Sequence, residues 1–166
     1  MKFESFQRLV AMMFEADDEG HLKERHGELT DYDIRQMNSL VLAYVGDAYF
    51  HLFVRTRLLS FDQSNVRALH AFSAQIVSAV WQHKAYLAIE PMLTEDEKAI
   101  YRRARNAKSH APRSATVAEY HSSTGFEALL GSLYLRHETA RLEELAEASF
   151  QAIAQAIMKD IHEKET

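Results

Sequence analysis

Apolar residues recur along this chain at helical spacing from its first residues onward. Phe3, Phe6, Leu9, Val10, Met13 and Phe14 form one helical stripe, which Asp17-Asp18-Glu19-Gly20 closes. Residues 17–37 are charged and predict loose or partly helical chain. Asn38-Ser39 suits the cap of a helix running through Leu58. That segment is apolar nearly all round, the pattern of a central, buried helix. Asp62 to Ser64 opens the next region, where Val66, Leu69, Phe72, Ile76, Val80 and Trp81 keep helical spacing. Thr94-Glu95-Asp96-Glu97 reads as a capping box for a helix ending near Arg105. Residues 106–121, with Pro112 and many small polar side chains, predict a long loop of the kind that is usually either functional or disordered. Ser122-Ser123 suits the cap of a helix through Arg136, and a last helix spans about 141–162 with Leu142, Leu145, Phe150, Ile153, Ile157 and Ile161 on one face. No strand alternation appears, so the expected fold is all-α: one domain over 37–166, preceded by a helical extension over 1–36.

Composition sharpens this picture. The chain has 166 residues, enough for one domain with a core, and only 5 Gly and 2 Pro, which favours helix over hairpin. It has no Cys, which excludes disulfides, Cys-based zinc sites and thiol catalysis, and suits a reducing cytoplasm. Met1-Lys2-Phe3-Glu4-Ser5 lacks the basic and apolar regions of a signal peptide, so none is expected. The longest apolar stretch, Leu40 to Val54, is interrupted by Asp47 and His51 and is too short to span a bilayer, so no membrane partner is expected.

The formal net charge is −5, but its distribution is uneven. Between Lys98 and Ala118 there is no acidic residue, while Lys98, Arg102, Arg103, Arg105, Lys108 and Arg113 place six cations there and leave the rest of the chain near −11. A basic segment on an acidic body suits a polyanionic partner; it equally describes a solvated helix face running into a loop.

Two carboxylates are out of place in this pattern. Asp47 lies mid-helix in Leu40-Val41-Leu42-Ala43-Tyr44-Val45-Gly46-Asp47-Ala48, and Glu127 shares a stripe with Leu130, Gly131 and Tyr134. Asp is unfavourable inside a helix, and an ionised carboxylate among apolar groups costs several kcal/mol unless a cation pairs with it. Gly46 and Gly131 each cost about 1 kcal/mol relative to Ala in a helix, which points to close helix approach. One reading is that Asp47 and Glu127 face each other across two helices and share a hard, oxygen-ligated cation such as Mg²⁺. The other is that each is exposed, or paired with Arg55 or another cation. His51, one turn after Asp47, either orients it or is a satisfied core histidine. No phosphate loop, nucleophile elbow or dinucleotide fingerprint is present.

Three segments in order resemble the ribonuclease III catalytic domain, and more closely its compact variant, mini-ribonuclease III. Asn38 to Ala48 is similar to the signature helix, Arg102-Arg103-Ala104-Arg105-Asn106-Ala107-Lys108-Ser109 to the basic segment of the mini form, and Ser123-Thr124-Gly125-Phe126-Glu127-Ala128-Leu129-Leu130-Gly131 to the second acidic helix. The likeness covers roughly residues 37–145. It departs at Ala43, where standard members have Glu, and at Thr124, where they have Asp; both are expected of the mini form and leave two carboxylates per site. No double-stranded-RNA-binding domain is expected.

The resemblance implies a homodimeric ribonuclease III-like endonuclease that cuts double-stranded or structured RNA to 5′-phosphate and 3′-hydroxyl ends. Asp47 and Glu127 would be the catalytic pair and hold Mg²⁺, with Mn²⁺ able to substitute. Arg102, Arg103, Arg105, Asn106, Lys108, Ser109 and Arg113 would touch RNA. The implied substrate is a large-subunit ribosomal RNA precursor, with a ribosomal protein as helper. A non-catalytic helical RNA-binding module is the alternative, separated by its indifference to Mg²⁺. A partner-binding helical protein using the Phe3–Phe14 stripe is a third reading, and it predicts no RNA affinity at low salt.

Overall fold

A computed structural model of the chain describes residues 3–21, 29–61, 63–107 and 116–164. The chain divides into two compact units, Met1–Thr30 and Asp31–Thr166. Every regular element among the described residues is helical.

In the first unit, α1 (Phe3–Met13) buries none of its residues. The expected stripe is present, with Phe3 73% and Met13 58% exposed. The Asp17 side chain then closes a turn by accepting from the backbone N–H groups of Glu19 at 3.0 Å and His21 at 2.9 Å.

The second unit contains α2 (Asp31–Gln36), α3 (Ser39–Leu58), α4 (Val66–Ile76), α5 (Ala79–Ile89), α6 (Glu95–Arg105), α7 (Val117–Leu135) and α8 (Thr139–Lys164), with a 3-10 turn at Glu90–Met92. The boundary after Thr30 falls earlier than the one expected at 36/37. Ile34 of α2 is buried in a small core with Leu42, Ala43, Ala104 and Ala128, which ties that helix to the second unit.

Helix α3 starts where expected. The Asn38 side chain accepts from the N–H of Leu40, satisfying one of the free donors of the first turn. Leu42, Ala43, Gly46, Phe50, Val54 and Leu58 form its buried face. The expectation of burial all round does not hold for the single chain: Val41 is 47%, Tyr44 79% and Leu52 65% exposed on the side away from that face.

Two further expectations are corrected. The apolar run 66–81 is two helices, because Val77 ends α4 and Ser78, in extended backbone, starts α5. Ile76, Val77 and Trp81 all enter one core, so hydrophobic spacing runs through the break unaltered. Helix α7 starts at Val117, not near Ser122, and is capped by a reciprocal Thr116/Glu119 box. Ser123 and Thr124 instead donate from inside the helix to the carbonyl of Tyr120, at 2.9 and 3.0 Å, the local alternative open to short hydroxyl side chains. Helix α7 thus takes in residues 117–121, which the expected loop 106–121 had included.

Helix α7 is the centre of this unit. Ser122 to Phe126 and Ala128 to Leu133 are all buried, with α3, α5, α6 and α8 packed around it. Phe126 meets Phe50 edge to face at 5.1 Å between ring centres, a favoured aromatic geometry. Helix α6 is held by the expected Thr94/Glu97 capping box and by Arg141 of α8, which grips the buried Glu97 carboxylate through two N–H groups at 2.8 and 2.9 Å.

The α3–α7 crossing is backbone on backbone. A Cβ built on Gly46 would overlap the Glu127 carbonyl, and one built on Gly131 would overlap the carbonyl of Leu42. Gly131→Ala and Gly46→Ala are therefore each expected to destabilise the fold by on the order of 3 kcal/mol or more, beyond the usual cost of an overpacked core. Chemical denaturation checks this, and a loss under about 1 kcal/mol would show that the crossing can relax.

Candidate metal and RNA site

The glycine crossing places the next residue of α3, Asp47, beside the α7 turn that carries Glu127. The two acids line one open cleft of about 500 Å³. Ala43 and Tyr44 of α3, Ser78 and Gln82 at the start of α5, and Tyr120 and Thr124 of α7 complete much of its wall. The two positions that match acids of standard ribonuclease III face this cleft without carboxylates. Ala43 offers only a methyl group, and the Thr124 hydroxyl is committed to the Tyr120 carbonyl.

The two carboxylates stand in different surroundings. Asp47 is half exposed and paired with His51, whose Nε2 lies 3.2 Å from Oδ1. Arg55, the alternative partner, forms no ion pair with Asp47 among the described residues, and His51 is partly exposed rather than a core histidine. Glu127 is more enclosed. Burial first, and then the neighbouring Asp47 charge, push its carboxyl up to about 8, and Gln82 offsets this only in part. A carboxyl whose ionisation is opposed by burial and by a second carboxylate beside it at the mouth of a cleft fits a hard divalent cation, which would neutralise both charges. No group of three or more His, Asp or Glu side chains suited to a metal occurs among the described residues. Water and a ligand phosphate would therefore fill most of the coordination sphere.

The expected RNA-binding residues are divided by the turn of α6. Arg102 and Arg105, one turn apart, line a second cleft of about 320 Å³ with His83, Lys98, Tyr101 and Ser122. Arg103 points elsewhere, its guanidinium donating to the backbone carbonyl of Arg35 on α2. Asn106 is the exposed C-cap of α6. Lys108, Ser109 and Arg113 lie outside the described residues. The second cleft has an ordered floor: Ser122 Oγ is 2.7 Å from His83 Nδ1 and 2.9 Å from the Tyr101 hydroxyl, and the Tyr101 ring stacks on Tyr86.

Sequence reasoning missed Gln82 and His83. Gln82 stands on the α5 stripe continued by Ala85, Tyr86 and Ile89, all buried, and a polar residue on that stripe was the available signal. His83 carried no signal, because its cleft forms only when α5, α6 and α7 come together.

Residues 40–138 match the sequence profile of the Ribonuclease III domain. Mini-ribonuclease 3 of Enterococcus faecalis is 46% identical over 117 residues, covering 68% of this chain and 88% of that protein. Mini-ribonuclease 3 of Symbiobacterium thermophilum is 48% identical over 111 residues, 66% of this chain and 85% of that protein. The crystal structure of a protein from Fusobacterium nucleatum matches with a TM-score of 0.66 at 34% identity, over 72% of this chain and 96% of that one.

The raised Glu127 carboxyl makes a signed prediction for the metal-free protein. A folded-state value above the unfolded one gives stability that is full at low pH and lost as the pH rises through the folded value. In EDTA, the denaturation midpoint of the wild type should fall as the pH climbs toward about 8. Glu127→Gln should flatten that decline and exceed the wild type at the alkaline end. A wild-type profile already flat over this range would mean that Glu127 is fully hydrated.

Proposed function

The chain belongs to the ribonuclease III domain family and is an endoribonuclease, and on that premise we propose that it hydrolyses double-stranded or structured RNA at a divalent cation held by Asp47 and Glu127. The observation that carries this reading is the pair of carboxylates brought into one cleft by the Gly46–Gly131 crossing. Mg²⁺ is the cation this donor set suits, with Mn²⁺ able to replace it. When bound, the cation lowers the pKa of coordinated water and neutralises charge developing on the scissile phosphate.

The chain's own residues supply placement. His51 holds Asp47 in orientation from one helical turn away. The enclosure of Glu127 keeps water from competing for its oxygens. Arg102 and Arg105 present two cations on one face of α6 for phosphates of the duplex, while Arg103 contributes through the α2–α6 contact instead. A-form RNA presents phosphates and 2′-hydroxyls across a shallow minor groove, so such recognition reads shape more than sequence. Asn106, Lys108, Ser109 and Arg113 would extend this surface. The products carry 5′-phosphate and 3′-hydroxyl ends. The physiological substrate is a large-subunit ribosomal RNA precursor in the cytoplasm, with a ribosomal protein assisting. No helix among the described residues is long and apolar enough to cross a membrane.

The exposed apolar side of α3, with Val41, Tyr44 and Leu52, supports a homodimer formed through that helix. One chain cuts one strand, and two symmetry-related clefts cut both.

Cleavage of a labelled RNA duplex with and without Mg²⁺ tests the nuclease. Asp47→Asn and Glu127→Gln are each expected to lose orders of magnitude in rate while staying folded. Metal-independent binding without cleavage, on a structured ribosomal precursor as well as the duplex, would make the protein an RNA-binding module. For the dimer, Leu52→Glu is expected to convert the species seen by light scattering to a monomer; a wild type that is already monomeric at micromolar concentration would refute the α3 interface.

A further inference from the structure

Gln82 is 1% exposed, yet it lines the cleft of Asp47 and Glu127. Neither Nε2 nor Oε1 makes a well-formed hydrogen bond among the described residues, although the amide lies near enough to Glu127 to favour its ionised form. A carboxamide can donate twice and accept twice, and leaving both of its ends unpaired in a protein interior costs stability. Leu or Met would fill the same volume without that cost, so packing gives no reason for a Gln here. Its surroundings give one. The cleft wall lacks carboxylates at Ala43 and Thr124, and Gln82 reaches in from a third helix beside Glu127.

We propose that Gln82 is a positioning residue of the metal centre, its Nε2 donating to the ionised Glu127 carboxylate and setting that group for the cation. This rests on the nuclease reading above. A neutral amide suits the task because it fixes a carboxylate without adding a third negative charge to a pair that already repel each other. Partners of this kind, one step removed from a metal, typically change metal affinity or activity by about 10–100-fold when mutated.

The test uses the full-length protein and three measurements on the wild type, Gln82→Met and Asp47→Asn: Mn²⁺ affinity by calorimetry, melting temperature in EDTA, and steady-state cleavage of an RNA duplex. Gln82→Met is expected to melt about 2–4 °C above the wild type, because an unpaired buried amide is gone. It should bind Mn²⁺ about 10–100-fold more weakly. It should also lose kcat at saturating Mn²⁺ while KM for the duplex stays unchanged. Gln82→Asn, which keeps the amide but draws it back by one methylene, is expected to lose Mn²⁺ affinity in the same way and decides the matter if the Met variant does not fold. Wild-type Mn²⁺ affinity in these variants, with Asp47→Asn impaired, overturns the role of Gln82 alone. A wild type that neither binds Mn²⁺ nor cuts RNA overturns the nuclease reading, and this proposal with it.

Discussion

The contact between the backbones of α3 and α7 governs the rest of the second unit. Gly46 and Gly131 remove the two side-chain stubs that would hold these helices apart, so a carbonyl of each helix sits where a Cβ would otherwise be. Close approach brings Phe50 onto Phe126 and seals the core below. It also brings Asp47 and Glu127 to one cleft above. Stability and chemistry therefore depend on the same crossing, and the site cannot be loosened without opening the core.

That arrangement has an electrostatic cost. Asp47 keeps half its surface in solvent and has His51 for a partner, whereas Glu127 is enclosed and faces a like charge. The hydroxyls of Ser123 and Thr124 do not relieve it, since both are bonded to the Tyr120 carbonyl. The cleft is thus built to be incomplete by itself, and a divalent cation is the group that would remove the repulsion. Such local frustration is what a binding site retains and an ordinary core does not.

The cationic surface follows a different logic. Helix α6 is anchored at its start by the Thr94/Glu97 box and Arg141, and its last turn carries the arginines. The 100° step between successive residues then sorts the arginines, with Arg102 and Arg105 on one cleft and Arg103 on α2. A run of basic residues in sequence is not one surface in space.

Much was determined by the sequence alone. Helical periodicity and the scarcity of Gly and Pro set the all-α class. Asn38 and the Thr94/Glu97 box marked two helix starts, because capping is a local hydrogen-bond pattern spanning three or four residues. An acid in an apolar stripe near a glycine singled out Asp47 and Glu127 as candidates, because burying charge is costly enough to need a reason, but only Glu127 proves enclosed while Asp47 keeps half its surface in solvent. Only the tertiary structure decided the rest. The break at Ser78 is invisible to spacing, since both helices feed one core. The cap of α7 lies at Thr116, because Ser123 bonds back to Tyr120 from inside the helix and Ser122 reaches His83 and Tyr101 on neighbouring helices. The exposed side of α3 is set by which neighbours this chain does and does not place against it. Gln82 and His83 gained their places from helices distant in sequence. Each of these depends on contacts between segments, which local pattern does not encode.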